Sequence, residues 1–257
     1  MTSLRLAVVQ HDIEWEARDA TLKRLEPVVA AAVAAQARLV VLSEMFAVGF
    51  SMNTALTAED EDGPTTAWLL DQARQHDAWV CGTIPMRAAG NPLPYNVFVL
   101  ASPTGDLHRY RKIHPFTYGG EREVFAAGQD IVTVDVDGVR VTPFICYDLR
   151  FADVFWDAAA GTDLFVVPAN WPVARRRHWT SLLTARAIEN QAYVAGCNRV
   201  GSGGRLDYGG DSRVISAMGE VLASAAEVET TLLVDVDTDA VAAVRERFPF
   251  QADRRPR

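Results

Sequence analysis

The sequence predicts a layered α/β domain with a mixed sheet, on three observations. Short apolar runs alternate with helix-spaced stretches from one end to the other. Two turn signals, Ser102-Pro-Thr-Gly105 and Asp137-Gly138, lie between apolar runs and ask for hairpins, which a wholly parallel sheet lacks. No linker, low-complexity block or repeat divides the 257 residues, so they read as one domain with room for a substantial core.

The elements follow in order. Leu4 to Gln10 is a strand, and Ala-rich Arg18 to Gln36 has helical spacing. Leu39 to Leu42 is a buried strand, Thr65 to His76 a helix and Ala78 to Ile84 another strand. Tyr95 to Ala101 and Leu107 to Arg111 flank the first hairpin turn. Ile131 to Val136 and Val139 to Ile145 flank the second. A helical stretch follows Cys146, then Leu164 to Val167 as a strand and Arg176 to Gln191 as a long helix. Tyr193 to Val200, Ser212 to Ser216 and Thr231 to Val236 complete the strands, with Gly201-Ser-Gly-Gly204 as a flexible turn. Asp237 to Phe248 starts on Asp-rich caps and reads as a terminal helix. The domain is expected over 1–250, with 251–257 as a loose basic tail or a partner-covering arm.

Composition narrows the function classes. A formal net charge of -8 argues against nucleic-acid binding through a basic surface, and Arg175-Arg176-Arg177 is too short to reverse that. Met1 to Gln10 reads as a strand and not a leader, and the apolar tract Val28 to Leu42 is broken by Gln36 and Arg38, so no membrane partner is expected. Three cysteines, Cys81, Cys146 and Cys197, are neither a disulfide framework nor a zinc spacing, which suits a reduced, cytosolic protein. The five histidines form no ligand pair, so no metal is expected.

Three segments carry the chemistry. In each, an apolar strand ends and a polar or reactive residue follows: Leu39–Leu42 runs into Ser43-Glu44, Leu107–Arg111 into Lys112, and Phe144-Ile145 into Cys146. Strand ends in layered α/β domains line the ligand crevice. A carboxylate, an ammonium and a thiol meeting there suffice for amide hydrolysis without a cofactor. Glu44 would take the thiol proton, Lys112 would favour thiolate and oxyanion, and the N–H of Tyr147 would be a second oxyanion donor. Each residue also has an ordinary reading: Glu44 as a cap or ion-pair partner, Lys112 as a solvated charge beside Arg109 and Arg111, and Cys146 as an inert core thiol.

These segments resemble the Glu, Lys and Cys motifs of the nitrilase, or carbon–nitrogen hydrolase, superfamily, and in its chain order. The matching stretches are Leu42-Ser-Glu44-Met-Phe46, Tyr110-Arg-Lys112-Ile-His114 and Ile145-Cys146-Tyr-Asp-Leu-Arg150-Phe. Ser43 and Ala152 depart from prolines common in relatives, and neither is a reacting group. Asn170-Trp171-Pro172, His178-Trp179, Leu183 to Arg199 and Gly210-Asp-Ser-Arg213 look like the omega-amidase branch. The resemblance, from Leu4 to about Phe250, implies a four-layer α-β-β-α sandwich, a homodimer paired through its helical layer, and hydrolysis of 2-oxoglutaramate or 2-oxosuccinamate. An N-carbamoyl-amino-acid amidohydrolase or a general aliphatic amidase is the near alternative, and a noncatalytic or redox-sensing thiol protein the distant one.

The superfamily's second glutamate is best matched by Glu121, with Glu123 behind it, and would position Lys112; a solvated loop acid is the alternative. A substrate carboxylate needs a cation, for which Arg150 and one of Arg175, Arg176 and Arg177 are the candidates. Asn170 and Trp171 offer an amide and a flat wall, while Phe116 and Tyr118 would close the pocket. Arg186, Glu189 and Asn190 share a helix face and read as a structural network, and Cys81 and Cys197 as core thiols.

Overall fold

The computed structural model describes residues 3–255. β1 (Ser3–Gln10), α1 (Arg18–Ala34), β2 (Leu39–Val41), α2 (Thr54–Thr57), α3 (Pro64–His76), β3 (Trp79–Met86), β4 (Tyr95–Ala101) and β5 (Leu107–Arg111) make the first half. α4 (Glu121–Val124), β6 (Val134–Val136), β7 (Val139–Pro143), α5 (Ala152–Ala158), β8 (Leu164–Ala169) and α6 (Arg176–Asn190) follow. β9 (Tyr193–Asn198), β10 (Val200–Gly203), β11 (Leu206–Ile215), β12 (Val221–Ala226), β13 (Thr230–Asp237) and α7 (Thr238–Arg247) complete the chain.

Two mixed sheets result. One runs β13-β1-β2-β3-β4-β5, and the other β10-β11-β9-β8-β7-β6 with β12 on β11. β1, β2 and β3 are mutually parallel, as are β7, β8 and β9, while the hairpins supply the antiparallel pairs. The period of two along a strand assigns the layers. Leu4, Leu6 and Val8 of β1, with Leu39 and Val41 of β2, pack inward against Val139, Val141 and Phe165. The intervening Ala7, Val9 and Val40 pack outward against Leu22, Leu25 and Val29 of α1 and Leu69 and Ala73 of α3. On the far side α6 covers β9 and β11, with Trp179, Leu183 and Ala187 fully buried. A Cβ on Gly196 of β9 would stand 2.5 Å from Leu183, so glycine lets α6 settle that closely on the sheet. The architecture is the expected four-layer α-β-β-α sandwich.

Both hairpins form. Asp137 and Gly138 take φ of 51° and 88°, the left-handed pair that a two-residue turn demands. Four expectations need correction. Tyr193 to Val200 is two strands, broken where Arg199 turns inward to donate to Asp12 and to the carbonyls of Ile13 and Ser202. Gly201 to Gly203 belongs to β10 and pairs with β11, because that pairing extends β11 back to Leu206 and leaves Gly204-Arg205 as the turn. Val221–Ala226, four of whose six residues are exposed, is a strand paired with β11; its weak apolar alternation hid it. Residues 251–255 are not loose: Gln251 donates to the Asn190 carbonyl, and Arg254 donates to the Trp156 carbonyl and lies 3.8 Å above its ring. Pro256 and Arg257 fall outside the described residues.

Candidate active site

The turns leaving β2 and β7, the end of β8 and the segment after β5 converge on one buried cluster. Glu44, three residues past β2, is wholly buried. Its Oε1 accepts from Lys112 Nζ at 2.8 Å and from Asn96 Nδ2 at 2.8 Å, and its Oε2 from the backbone N–H of Asn170 at 2.9 Å. Asn170 Nδ2 also donates to the Glu44 carbonyl at 2.5 Å. The backbone turns sharply here, with Met45 at φ 44° and its N–H bonded to Thr83 Oγ1.

Lys112 is as deeply buried, so its reading as a solvated charge fails. Its ammonium donates to Glu44 and to both Glu121 oxygens, at 3.0 and 2.8 Å. Glu121 opens α4, fully buried, and also accepts from Asn96 Nδ2 at 3.0 Å and the Phe116 N–H at 2.5 Å. The solvated-loop reading of Glu121 fails with it. Burial alone would pull the lysine down, but Glu121, then Glu44, outweigh it and push its pKa above the ordinary value. Burial raises Glu121, with Lys112 opposing. The ammonium therefore persists between two carboxyl groups.

Cys146, three residues past the end of β7, begins a tight 3-10 turn, Cys146–Arg150. Its φ of 44° puts a non-glycine residue in the left-handed region, a strained posture typical of residues held by their surroundings at a functional turn. Asp148 holds that turn. Its carboxylate accepts from the Ile145 N–H at 3.0 Å, the Tyr110 hydroxyl at 2.8 Å and the His114 N–H at 2.8 Å, tying the cysteine segment to the lysine segment. From beneath, Arg186 of α6 donates twice to the Leu149 carbonyl, at 3.1 and 2.8 Å, and pairs with Glu189, while Asn190 donates to the Arg186 carbonyl. The network expected on that helix face is thus real, and it supports the cysteine turn.

The thiol lies beside the Glu44 carboxylate, and its pKa is raised, against the expectation that Lys112 would favour the thiolate. Burial is the largest cause and the Glu44 carboxylate the next; Lys112 pulls the other way and does not prevail. The resting cysteine is a neutral thiol beside a base. Cys81 and Cys197 are wholly buried and also raised, chiefly by burial, as expected of core thiols.

Cys146 opens onto a cavity of about 300 Å³, the size range of small-molecule sites. Every expected pocket residue lines it: Phe116, Tyr118, Tyr147, Arg150, Asn170 and Trp171. Trp15, Phe50, Met52, Leu206 and Tyr208 also line it and carried no sequence signal, since single aromatic residues in loops look alike. Arg150 lies 4.8 Å above the Trp171 ring and Arg175 lies 5.4 Å from the Phe116 ring centre. Arg176 turns to Asp211 and Glu227, at 2.9 Å each, and Arg177 is exposed. Glu123 does not join the buried cluster. Among the described residues no group of His, Cys, Asp or Glu is arranged to hold a metal ion. Asn96 and Asp148 are the functional positions the sequence did not reveal. Asp148 stands two residues past the cysteine and carried the only available hint.

The carbon-nitrogen hydrolase family model matches residues 5–246 of this chain. The chain belongs to that family. Omega-amidase YafV of Escherichia coli (strain K12) is 38% identical over 256 residues, which cover 98% of this chain and 97% of the relative. A 2-oxoglutaramate amidase of Bacillus subtilis (strain 168) is 32% identical over 254 residues, 97% of each. A CN-hydrolase superfamily protein of Xanthomonas campestris, crystallised with an arsenic adduct in its active site, superimposes with a TM-score of 0.94 at 37% identity, covering 100% of this chain and 99% of that one. Membership gives the buried cluster its context: this carbon–nitrogen hydrolase keeps a hydrogen-bonded carboxylate and ammonium beside a thiol that opens onto a small cavity.

Proposed function

We propose that this carbon–nitrogen hydrolase is an omega-amidase, converting 2-oxoglutaramate or 2-oxosuccinamate to the dicarboxylic keto acid and ammonia. One observation carries the reading: the Glu44–Lys112–Cys146 cluster sits at the base of a small apolar cavity whose walls hold Arg150 and Arg175. The reacting end suits an amide, and the guanidiniums suit a carboxylate at the far end. Likeness to omega-amidase YafV and to the 2-oxoglutaramate amidase supports the same reaction.

The chemistry follows from the neutral thiol. Glu44 accepts the Cys146 proton as Sγ attacks the amide carbon, and Lys112 with the Tyr147 N–H receives the oxyanion. Glu44 returns the proton to the leaving nitrogen, so ammonia departs and a thioester remains. Glu44 then deprotonates a water, which attacks the thioester; the acid leaves and the thiol is restored. Glu121 holds the lysine in place. The bulk product is one carboxylate and one ammonia per water consumed, with no cofactor.

Wild-type protein should release ammonia from 2-oxoglutaramate, and Cys146→Ala should abolish that release. Cleavage of N-carbamoyl amino acids with 2-oxoglutaramate left intact would keep the reaction class and overturn the substrate. No helix among the described residues is long and apolar enough to cross a membrane. Three free cysteines fit a reducing, cytoplasmic setting. Pairing with a second copy is proposed on the family resemblance, and exposed Ile188, Met218 and Phe250 support it; light scattering would test it.

A further inference from the structure

We propose that Arg175 is the specificity-determining residue for the substrate's far end, selecting a 2-oxo acid over its 2-amino counterpart and over a neutral amide. The inference rests on the omega-amidase reading and assigns one residue within it.

The sequence left three adjacent arginines equivalent, and the structure separates them. Arg176 is neutralised by Asp211 and Glu227, and Arg177 faces solvent away from the cavity. Arg175 lines the cavity. Its backbone is anchored: its N–H donates to the Pro172 carbonyl at 3.0 Å, and its carbonyl accepts from Trp171 Nε1 at 2.8 Å. The base of the side chain is therefore fixed to the cavity wall. Its guanidinium meets the face of the Phe116 ring, a contact that leaves the planar edge donors free for a carboxylate.

Charge makes the selection. Arg150 and Arg175 are the two guanidiniums among the described lining residues, and none of those residues is acidic. A 2-oxo acid brings a carboxylate and an adjacent carbonyl oxygen, both acceptors for arginine N–H groups. An amino acid places an ammonium at that carbon, where it meets two cations and no carboxylate. A neutral amide of equal length fills the apolar walls and leaves both guanidiniums unengaged. Phe116 links this end to the reacting end, because its N–H is bonded to Glu121, which holds Lys112.

The test compares kcat and KM for 2-oxoglutaramate, glutamine and pentanamide, which share a five-carbon chain ending in the amide. Arg175→Gln should lower kcat/KM on 2-oxoglutaramate by about 10- to 100-fold more than on pentanamide, mainly through KM. Arg175→Lys should recover part of that selectivity, keeping the charge without the fork. Arg177→Gln removes the same charge from outside the cavity and should leave the ratio at the wild-type value. Thermal melts confirm that each variant folds. Equal losses on both substrates in Arg175→Gln, or the same loss of selectivity in Arg177→Gln, would overturn the assignment. A wild-type enzyme with no preference for 2-oxoglutaramate over pentanamide would instead overturn the omega-amidase reading itself.

Discussion

Asn170 grips Glu44 at two points, its backbone N–H on Oε2 at 2.9 Å and its side-chain Nδ2 on the main-chain carbonyl at 2.5 Å. The two residues come from different sheets, Glu44 following β2 and Asn170 following β8, so the pair fastens the halves of the sandwich at the reacting carboxylate. Asn170→Ala keeps the backbone bond and deletes the other, leaving a buried carbonyl unpaired at a cost of about 1–3 kcal/mol. Denaturant melts should show that loss. Ammonia release should fall about 10- to 100-fold, chiefly in kcat, since the base is displaced.

Glu121 and Glu44 share the Lys112 ammonium, and Asn96 donates to both acids at 2.8 and 3.0 Å. Removing Glu121 leaves the buried ammonium on Glu44 alone and the Phe116 N–H without its acceptor. Glu121→Ala should therefore cost about 3–5 kcal/mol in urea unfolding. Glu121→Gln keeps an acceptor for Lys112 and for the Phe116 N–H, so it should cost far less. Its kcat should still drop at least about tenfold, because one of the two charges that hold the ammonium is gone. If both variants were equally stable, the buried pairing would carry no weight in the fold.

The raised thiol makes a kinetic prediction. Burial and the Glu44 carboxylate keep Cys146 protonated at neutral pH, so its alkylation rate by iodoacetamide should climb with pH beyond the ordinary thiol range. A preformed thiolate would instead give a plateau already at acidic pH. Cys146 still opens onto the cavity, whereas Cys81 and Cys197 are 0% exposed. Mass spectrometry of the native protein should find Cys146 modified first and the other two only on unfolding.

The sequence made the layers legible because strand and helix periods differ, and β1 divides its residues between two cores by alternate positions. It made Glu44 and Cys146 legible because each follows a short apolar strand, and Lys112 because Tyr110-Arg-Lys112-Ile-His114 resembles the family's lysine motif. It could not reveal Asn96, which sits inside β4 where a polar residue in a strand ordinarily marks a solvent face. Its partners are two carboxylates distant in sequence, Glu44 and Glu121, which both accept from its Nδ2. Nor could it choose among Arg175, Arg176 and Arg177, since the choice depends on Asp211 and Glu227 approaching from β11 and the turn after β12. The expectation that Lys112 favours the thiolate fails for the same kind of reason: burial and the Glu44 carboxylate outweigh the ammonium, and neither is visible from the cysteine segment alone.

His11, at the end of β1, gives the last prediction. It is 4% exposed, its Nδ1 faces the Asp12 carbonyl at 2.9 Å and its Nε2 faces Ser43 Oγ at 3.2 Å. The carbonyl can only accept, so Nδ1 carries the proton, and Nε2 accepts from the serine hydroxyl next to Glu44. Burial, the largest cause, lowers the imidazole from 6.5 to about 4 in the folded protein. The unfolded chain therefore takes up a proton near pH 6.5 that the folded chain refuses until about pH 4. The stability this residue contributes is present above pH 6.5 and is lost as the pH falls toward 4, by about 3 kcal/mol across the window. Urea melts of wild type and His11→Gln at pH 7.0 and 4.5 (about the two sides of the window) isolate that part. The variant should be less stable at the higher pH, having lost a fitted buried ring, and should lose less on acidification. Parallel losses in both proteins would assign the acid sensitivity to the carboxylates and not to His11.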